Sequence, residues 1–76
     1  MTDQTVQIDA KGMKCPRPII ELAKARRKIY NGSVIEIQAD DLAFESDVKA
    51  WCDTTGNPLK DLSKDGQVVT ARILIS

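Results

Sequence analysis

The sequence predicts an α+β fold, a two-layer α/β sandwich in the order β-α-β-α-β-β, with two helices packed on one face of a four-stranded mixed sheet. Three observations support this prediction. Apolar residues alternate with polar ones in three segments, they recur at helical spacing in two others, and turn-forming residues separate the segments. The chain of 76 residues has the length of one small domain, so we treat residues 1–76 as a single domain.

A change of period separates the first strand from the first helix. Val6, Ile8 and Ala10 alternate with polar residues, which is typical of a strand with one buried face, and Gly12 interrupts the pattern. Apolar residues at helical spacing then predict a helix that Asn31-Gly32 ends. The apolar positions of this helix are Ile19, Leu22, Ala23, Ile29 and Tyr30.

The second strand and the second helix follow in the same way. Residues 34–39 alternate again, and Asp40-Asp41 ends this strand. Asp41 or Ser46 is a candidate cap for the next helix, and Gly56 closes it. The helix itself is predicted by apolar residues at i, i+4, i+7 and i+8, namely Phe44, Val48, Trp51 and Cys52.

The last third of the chain predicts an antiparallel hairpin. Leu59 and Leu62 mark a short third strand, and Pro58 suits its first residue or an edge. Asp65-Gly66 is a hairpin signal, and the strand from Gln67 to Ile75 is rich in β-branched residues. The earlier strand–helix–strand unit implies a parallel pair with a right-handed crossover, so the complete sheet is mixed.

The charges are balanced overall but unevenly distributed. Lysine and arginine number 11, as do aspartate and glutamate. Residues 1–38 carry seven bases and four acids, about +3, which leaves residues 39–76 at about −3. Such a bipolar chain suits docking to other proteins, although an ordinary solvated surface has the same pattern. The basic residues within 24–28 lack interleaved aromatic residues, so they fit a solvated helix face or a docking face, and we expect no direct nucleic acid contact.

Composition also excludes several classes of site. Two cysteines and no histidine make a poor metal site, and we expect neither a metal nor another cofactor. The first residues lack the basic and apolar regions of a signal peptide, and no apolar run is long enough to span a membrane. We therefore expect a cytoplasmic protein with reduced cysteines, monomeric in isolation.

Cys15 is the candidate catalytic nucleophile. It falls at the predicted N-cap of the first helix, with Pro16 at the first helical position and Pro18 at the third. The proline rings stiffen the first turn of the helix and leave the Arg17 amide to point at the Cys15 sulfur. Lys14 and Arg17 add positive charge near this sulfur. We therefore expect the pKa of Cys15 to lie below the ~8.5 of a free thiol. The alternative is a small apolar cysteine used as a cap or as core filler.

Asp40 and Asp41 are candidate supporting residues for this thiol. The loops that follow two parallel strands emerge at the same end of a sheet, so both carboxylates should face residues 11–15. They would then polarise a thiol, accept or donate a proton, or bind a cation on a partner. Alternatively, they only end a strand and cap a helix. Cys52 lies on the apolar stripe of the second helix, which favours core packing over a resolving role.

The segment GMKCPRPI resembles the C-P-x-P signature of the TusA (SirA-like) family of small sulfur-carrier proteins. IQADDLAFESDVKAWC is similar to the second stretch of that family, and TGNPL and the closing strand also fit. The likeness covers roughly residues 5–75. It implies two helices on one face of a four-stranded mixed sheet, similar to the C-terminal domain of translation initiation factor three.

The resemblance also implies a function. Family members carry sulfane sulfur as a persulfide on the C-P-x-P cysteine, here Cys15, and so act as sulfurtransferases or as carriers. They receive it from a cysteine desulfurase or a rhodanese-like donor and pass it to a cysteine of an acceptor protein. Arg17 stands where members that act in tRNA thiolation have a glutamate, and Leu42 stands where proline is common. The pathway therefore stays open between tRNA thiolation, cofactor synthesis and sulfur oxidation. The other hypotheses are a regulatory or docking module and a thiol–disulfide protein that uses both cysteines.

Overall fold

The strands and helices follow one another in the predicted order. The structure is a computed structural model that describes residues 5–14 and 16–75. Its elements are β1 (Thr5–Asp9), α1 (Arg17–Arg26), β2 (Val34–Ala39), α2 (Phe44–Thr55), β3 (Leu59–Asp65) and β4 (Val68–Leu74). In this part of the chain no helix has the length and apolar character needed to cross a membrane.

The four strands form a single mixed sheet in the order β1-β2-β4-β3. β1 pairs parallel to β2, with Val6 opposite Ile35 and Ile8 opposite Ile37. β4 pairs antiparallel to both β2 and β3. The predicted parallel pair and the predicted C-terminal hairpin are therefore both confirmed, and β1 and β3 are the two edge strands.

One face of the sheet carries both helices, as predicted. α1 packs on β1 and β2, whereas α2 packs on β4. The other face is polar: Gln7 Nε2 donates a hydrogen bond to Glu36 Oε1 over 3.1 Å, and Arg72 Nε lies 3.8 Å from Glu36 Oε2. The buried apolar residues between the layers are Ala10, Leu22, Ile35, Ile37, Ala39, Phe44, Val48, Cys52, Val69, Ala71, Ile73 and Ile75.

The first helix ends earlier than predicted. The prediction extended it to Tyr30, but α1 stops at Arg26 and a turn follows. In this turn the Arg27 amide donates to the Lys24 carbonyl and the Lys28 amide to the Ala25 carbonyl, which is tight i to i−3 bonding. Tyr30 is 82% exposed, so its ring contributes little to the core. The apolar residues of the sequence keep helical spacing as far as Tyr30, but the core does not extend to Tyr30.

The C-terminal hairpin also differs from the prediction in its details. β3 is seven residues long rather than short, and a bulge between Leu59 and Asp61 interrupts its register with β4. The last strand begins at Val68, because Gly66, with φ of 63°, and Gln67 form the two-residue turn between the strands.

Gly56 offers a test of how α2 ends. It is the C-cap, with φ of 76°, and its amide donates to the Cys52 carbonyl over 3.0 Å. A Cβ at this position meets no heavy atom within 4 Å, so only the backbone conformation opposes a side chain. We expect Gly56→Ala to lower the free energy of unfolding by about 1 kcal/mol, because alanine avoids the left-handed region.

The matched variant is Gly56→Asn, since asparagine tolerates left-handed backbone better than alanine does. Urea denaturation should therefore rank the stabilities as wild type, then Gly56→Asn, then Gly56→Ala. An asparagine variant no more stable than the alanine variant would contradict this explanation.

Candidate functional site

The loops after β1 and β2 meet at one end of the sheet, as their parallel pairing requires. The amide of Gly12 donates a hydrogen bond to Asp40 Oδ1 over 2.9 Å. The Ala10 amide donates to the Gln38 carbonyl over 2.7 Å, which continues the β1–β2 pairing into these loops. The predicted proximity to the segment that leads to Cys15 is thus confirmed for Asp40. The side chain of Asp40 thus links the loop after β2 to the loop after β1 by a hydrogen bond.

Cys15 itself lies outside the described residues, so its predicted reactivity and its predicted pKa remain predictions. The residues on either side, Lys14 and Pro16, are both exposed. Met13 is half-buried against the core, and its amide donates to the Ala10 carbonyl over 3.2 Å. Met13 thus contacts the core between two exposed neighbours, Gly12 and Lys14.

A cleft of about 390 Å³ lies between these loops. Its walls carry both signs of charge, with Lys14 on one side and Asp40 and Asp41 on the other, and Leu42 adds an apolar side chain that is 94% exposed. The residues that line the cleft are Gly12, Met13, Lys14, Asp40, Asp41, Leu42 and Gln67. Within residues 5–14 and 16–75, no three histidine, cysteine or acidic side chains are grouped so as to hold a metal ion.

Gln67 is the residue of this cleft that the sequence did not predict. It reaches the site from the β3–β4 turn, far along the chain from the other lining residues. Ala39 pairs with Val69, and continuing this antiparallel register places Gln67 beside Asp41. Only the pairing of β2 with β4 brings it there, and no local pattern contains that information.

The start of α1 differs from the prediction by one residue. Pro16 rather than Cys15 is the N-cap, with φ of −97° and ψ of 18°, so Arg17 and Pro18 take the first and second helical positions. The Arg17 amide donates to the Lys14 carbonyl over 2.8 Å. The prediction that this amide points at the Cys15 sulfur is therefore wrong, because a tight turn already uses it. Arg17 is exposed, whereas Pro18 is buried and packs in the core.

The backbone and the side chain of Asp41 both accept hydrogen bonds from residues at the start of α2. The N-cap of α2 is Ala43, which has no side-chain cap. Asp41 Oδ2 accepts the Ala43 amide over 3.3 Å, and the Asp41 carbonyl accepts the Phe44 amide over 3.0 Å. The hydroxyl of Ser46 instead donates to the Ala43 carbonyl, so Ser46 is not the cap. Neither predicted cap, Asp41 nor Ser46, is therefore the N-cap of α2; Asp41 instead accepts hydrogen bonds from residues at the start of the helix.

Cys52 lies in the core on the inner face of α2 and is 6% exposed. Burial raises the pKa of its thiol, because removal from water disfavours the thiolate. A neutral, buried thiol is a poor nucleophile. The predicted packing role of Cys52 is therefore confirmed.

The Asp40–Gly12 hydrogen bond can be tested by hydrogen exchange. Asp40→Ala removes the acceptor and should cost about 1 kcal/mol locally, so the Gly12 amide should exchange about fivefold faster. Asp40→Asn keeps a side-chain oxygen at this position and should show a smaller increase. Asp41→Ala is the matched control, because it should accelerate exchange at Ala43 and leave Gly12 unchanged. Equal increases of the Gly12 exchange rate in the two alanine variants would contradict a hydrogen bond from Gly12 to Asp40.

The buried thiol of Cys52 predicts a dependence of stability on pH. In the unfolded chain the thiol has the ordinary pKa of a cysteine, and burial raises the pKa in the folded chain. The stabilisation is therefore complete below the unfolded pKa and is lost as the pH rises through the folded pKa. Between pH 7 and pH 10, under reducing conditions, the wild type should lose more unfolding free energy than Cys52→Ala. If the unfolding free energies of the two proteins change with pH in parallel, Cys52 does not contribute to the pH dependence of stability.

Comparison with known proteins agrees with this fold. Residues 6–75 match the family model of sulfurtransferase TusA. The chain is 32% identical over 66 residues to the sulfur carrier protein TusA of Allochromatium vinosum, covering 87% of each chain. It is 33% identical over 69 residues to the protein named "Putative sulfur carrier protein YrkF" of Bacillus subtilis, covering 91% of this chain but 37% of that protein. The present chain thus spans little more than a third of that relative.

A crystal structure of a SirA-like protein from Desulfitobacterium hafniense has the same fold. Its TM-score is 0.79 at 26% sequence identity, with 91% of this chain and 95% of that chain covered. The match of the family model over residues 6–75 includes β1, the segment around Cys15, the acidic loop and both helices. The chain therefore belongs to the TusA family of sulfur carrier proteins.

Proposed function

We propose that this chain carries sulfane sulfur as a persulfide on Cys15 and passes it to a cysteine of an acceptor protein. The Cys15 thiolate attacks the terminal sulfur of a donor persulfide, the sulfur–sulfur bond of the donor breaks, and the donor cysteine leaves as a thiolate. In the second step an acceptor thiolate attacks the terminal sulfur on Cys15 and releases the Cys15 thiolate. Each step moves one sulfur atom and leaves the number of electrons in balance.

Membership of the sulfur carrier family is the observation that carries this proposal, because the family's C-P-x-P cysteine corresponds to Cys15. The described surroundings support it. The neighbouring residues Lys14 and Pro16 are exposed, so a partner protein can approach this part of the chain. The positive charges of Lys14 and Arg17 favour an anionic sulfur nearby, although the Arg17 amide does not take part.

The partners are proposed by chemical class. A cysteine desulfurase or a rhodanese-like protein supplies the sulfane sulfur, and a protein thiol accepts it. We expect both partners to contact the cleft, where Leu42 offers an exposed apolar side chain beside the carboxylates of Asp40 and Asp41. The thiol–disulfide alternative is disfavoured because it needs Cys52 as the second thiol, and Cys52 is buried with a raised pKa.

Intact mass spectrometry tests the proposal directly. The reduced protein is incubated with a cysteine desulfurase and cysteine, or with a rhodanese and thiosulfate. We expect a gain of ~32 Da, one sulfur atom, that dithiothreitol removes. The gain should be absent in Cys15→Ser and retained in Cys52→Ser, which is the matched control.

Two results would contradict the proposal. One is the absence of any mass gain with either donor, which would favour a regulatory or docking module. The other is a loss of ~2 Da that requires both cysteines, which would indicate an intramolecular disulfide and a redox function.

A further inference from the structure

The two edges of the sheet are protected to different degrees. β3 carries a lysine or an aspartate at four of its seven positions, a bulge lies between Leu59 and Asp61, and Pro58 precedes it. These are the features by which natural proteins prevent an edge from pairing with another strand. β1, with the sequence TVQID, has no lysine, no proline and no bulge in its pairing with β2. The β1 edge is therefore the less protected one.

The backbone of β1 offers hydrogen-bonding groups along this edge. The Ala10 amide donates to the Gln38 carbonyl, so it faces β2. Because successive residues of a strand point their backbone groups to alternate sides, those of Val6 and Ile8 also face β2. The amides and carbonyls of Thr5, Gln7 and Asp9 then face away from the sheet. In residues 5–14 and 16–75, no strand pairs with this side of β1.

A groove of about 370 Å³ runs beside this edge, between β1 and the second half of α1. Its apolar wall is formed by Val6 and Ile8 from β1, with Ala25 and Ile29 opposite. The charged residues that line the groove are Glu21 and two exposed lysines, Lys24 and Lys28. Lys24 forms an ion pair of 3.6 Å with Glu21, whereas Lys28 forms none with any residue that the structure describes.

We propose that the outer edge of β1 binds an extended segment of an acidic partner protein as a fifth strand. Backbone groups of the segment pair with Gln7 and Asp9. Every second side chain enters the groove, where apolar side chains contact Val6 and Ile8. A carboxylate at the end of the same row contacts Lys28. This surface includes two of the four basic residues within 24–28, Lys24 and Lys28, for which sulfur transfer gives no explanation.

The charge of α1 and of the turn that follows it decides between an acidic partner and a second copy of this chain. Residues 17–28 carry five bases and one acid, a net charge of +4. Pairing of two β1 edges would place two such segments side by side, and like charges at close range oppose association. A nucleic acid would match the charge but would leave the backbone groups of β1 and the apolar groove without partners. An extended acidic segment satisfies all three features.

The test uses the full chain, labelled with nitrogen-15, and a designed probe. The probe is the blocked peptide Glu-Thr-Val-Thr-Val-Thr-Glu, which reads the same in both directions and places its valines and glutamates on one face. We expect saturable shifts of the Gln7 and Asp9 amide signals. The control peptide has lysine in place of both glutamates and should bind more weakly.

Two variants separate the backbone contribution from the charge contribution. Gln7→Pro removes an outward amide and should weaken binding of the probe about tenfold, whereas Gln7→Ala, which keeps the amide, should bind like the wild type. Lys28→Glu should weaken binding of the acidic probe about threefold and should strengthen binding of the lysine peptide. Lys60→Glu, on β3, is the matched control for this substitution. The Lys28→Glu result decides the test if Gln7→Pro fails to fold.

Several results would overturn the proposal. These are the absence of saturable shifts at millimolar probe, shifts confined to β3 or to the cleft, and equal binding by Gln7→Pro and Gln7→Ala. Sedimentation that shows dimers lost in Gln7→Pro would assign the edge to self-association instead. Tighter binding of a single-stranded oligouridine at the same amides would assign it to nucleic acid. None of these measurements involves sulfur transfer, so their outcome is independent of the function proposed for Cys15.

Discussion

The pairing of β2 on both sides is the constraint on which the rest of the structure depends. Ile35, Ile37 and Ala39 are fully buried, and β2 lies between a parallel neighbour and an antiparallel one. The parallel pairing requires a crossover, which α1 supplies, and it places the loops after β1 and β2 at one end. The antiparallel pairing with β4 adds the β3–β4 turn to the same end. The cleft is thus a consequence of how one buried strand is paired.

Local sequence patterns could predict the fold because each element matches its own period. The alternation in residues 34–39 and in the last strand identified the buried face of the sheet, and the spacing of Phe44, Val48 and Cys52 identified the buried face of α2. The end of α1 was not predictable in this way. Ile29 and Tyr30 continue the helical spacing, but the core does not extend to Tyr30, so tight turns replace the helix.

The site could be predicted in its composition but not in its hydrogen bonding. The sequence identified the residues around Cys15 and the acidic pair, since both depend on strand ends that local patterns reveal. The use of the Arg17 amide by the Lys14 carbonyl depends on a one-residue shift in where the helix begins. The presence of Gln67 depends on a register between β2 and β4 that joins distant parts of the chain. Both are set by tertiary packing.

The strand order has an electrostatic consequence for the molecule as a whole. Because β1 and β2 lie together on one side and β4 and β3 on the other, the basic half of the sequence and the acidic half fold side by side. The folded chain therefore has an electric dipole directed across its strands, although its net charge is zero. The chain therefore experiences a torque in the field of an approaching charged partner, and at cellular salt this torque decays over about 8 Å. Orientation is thus selected in the last step of an encounter, before the two surfaces touch.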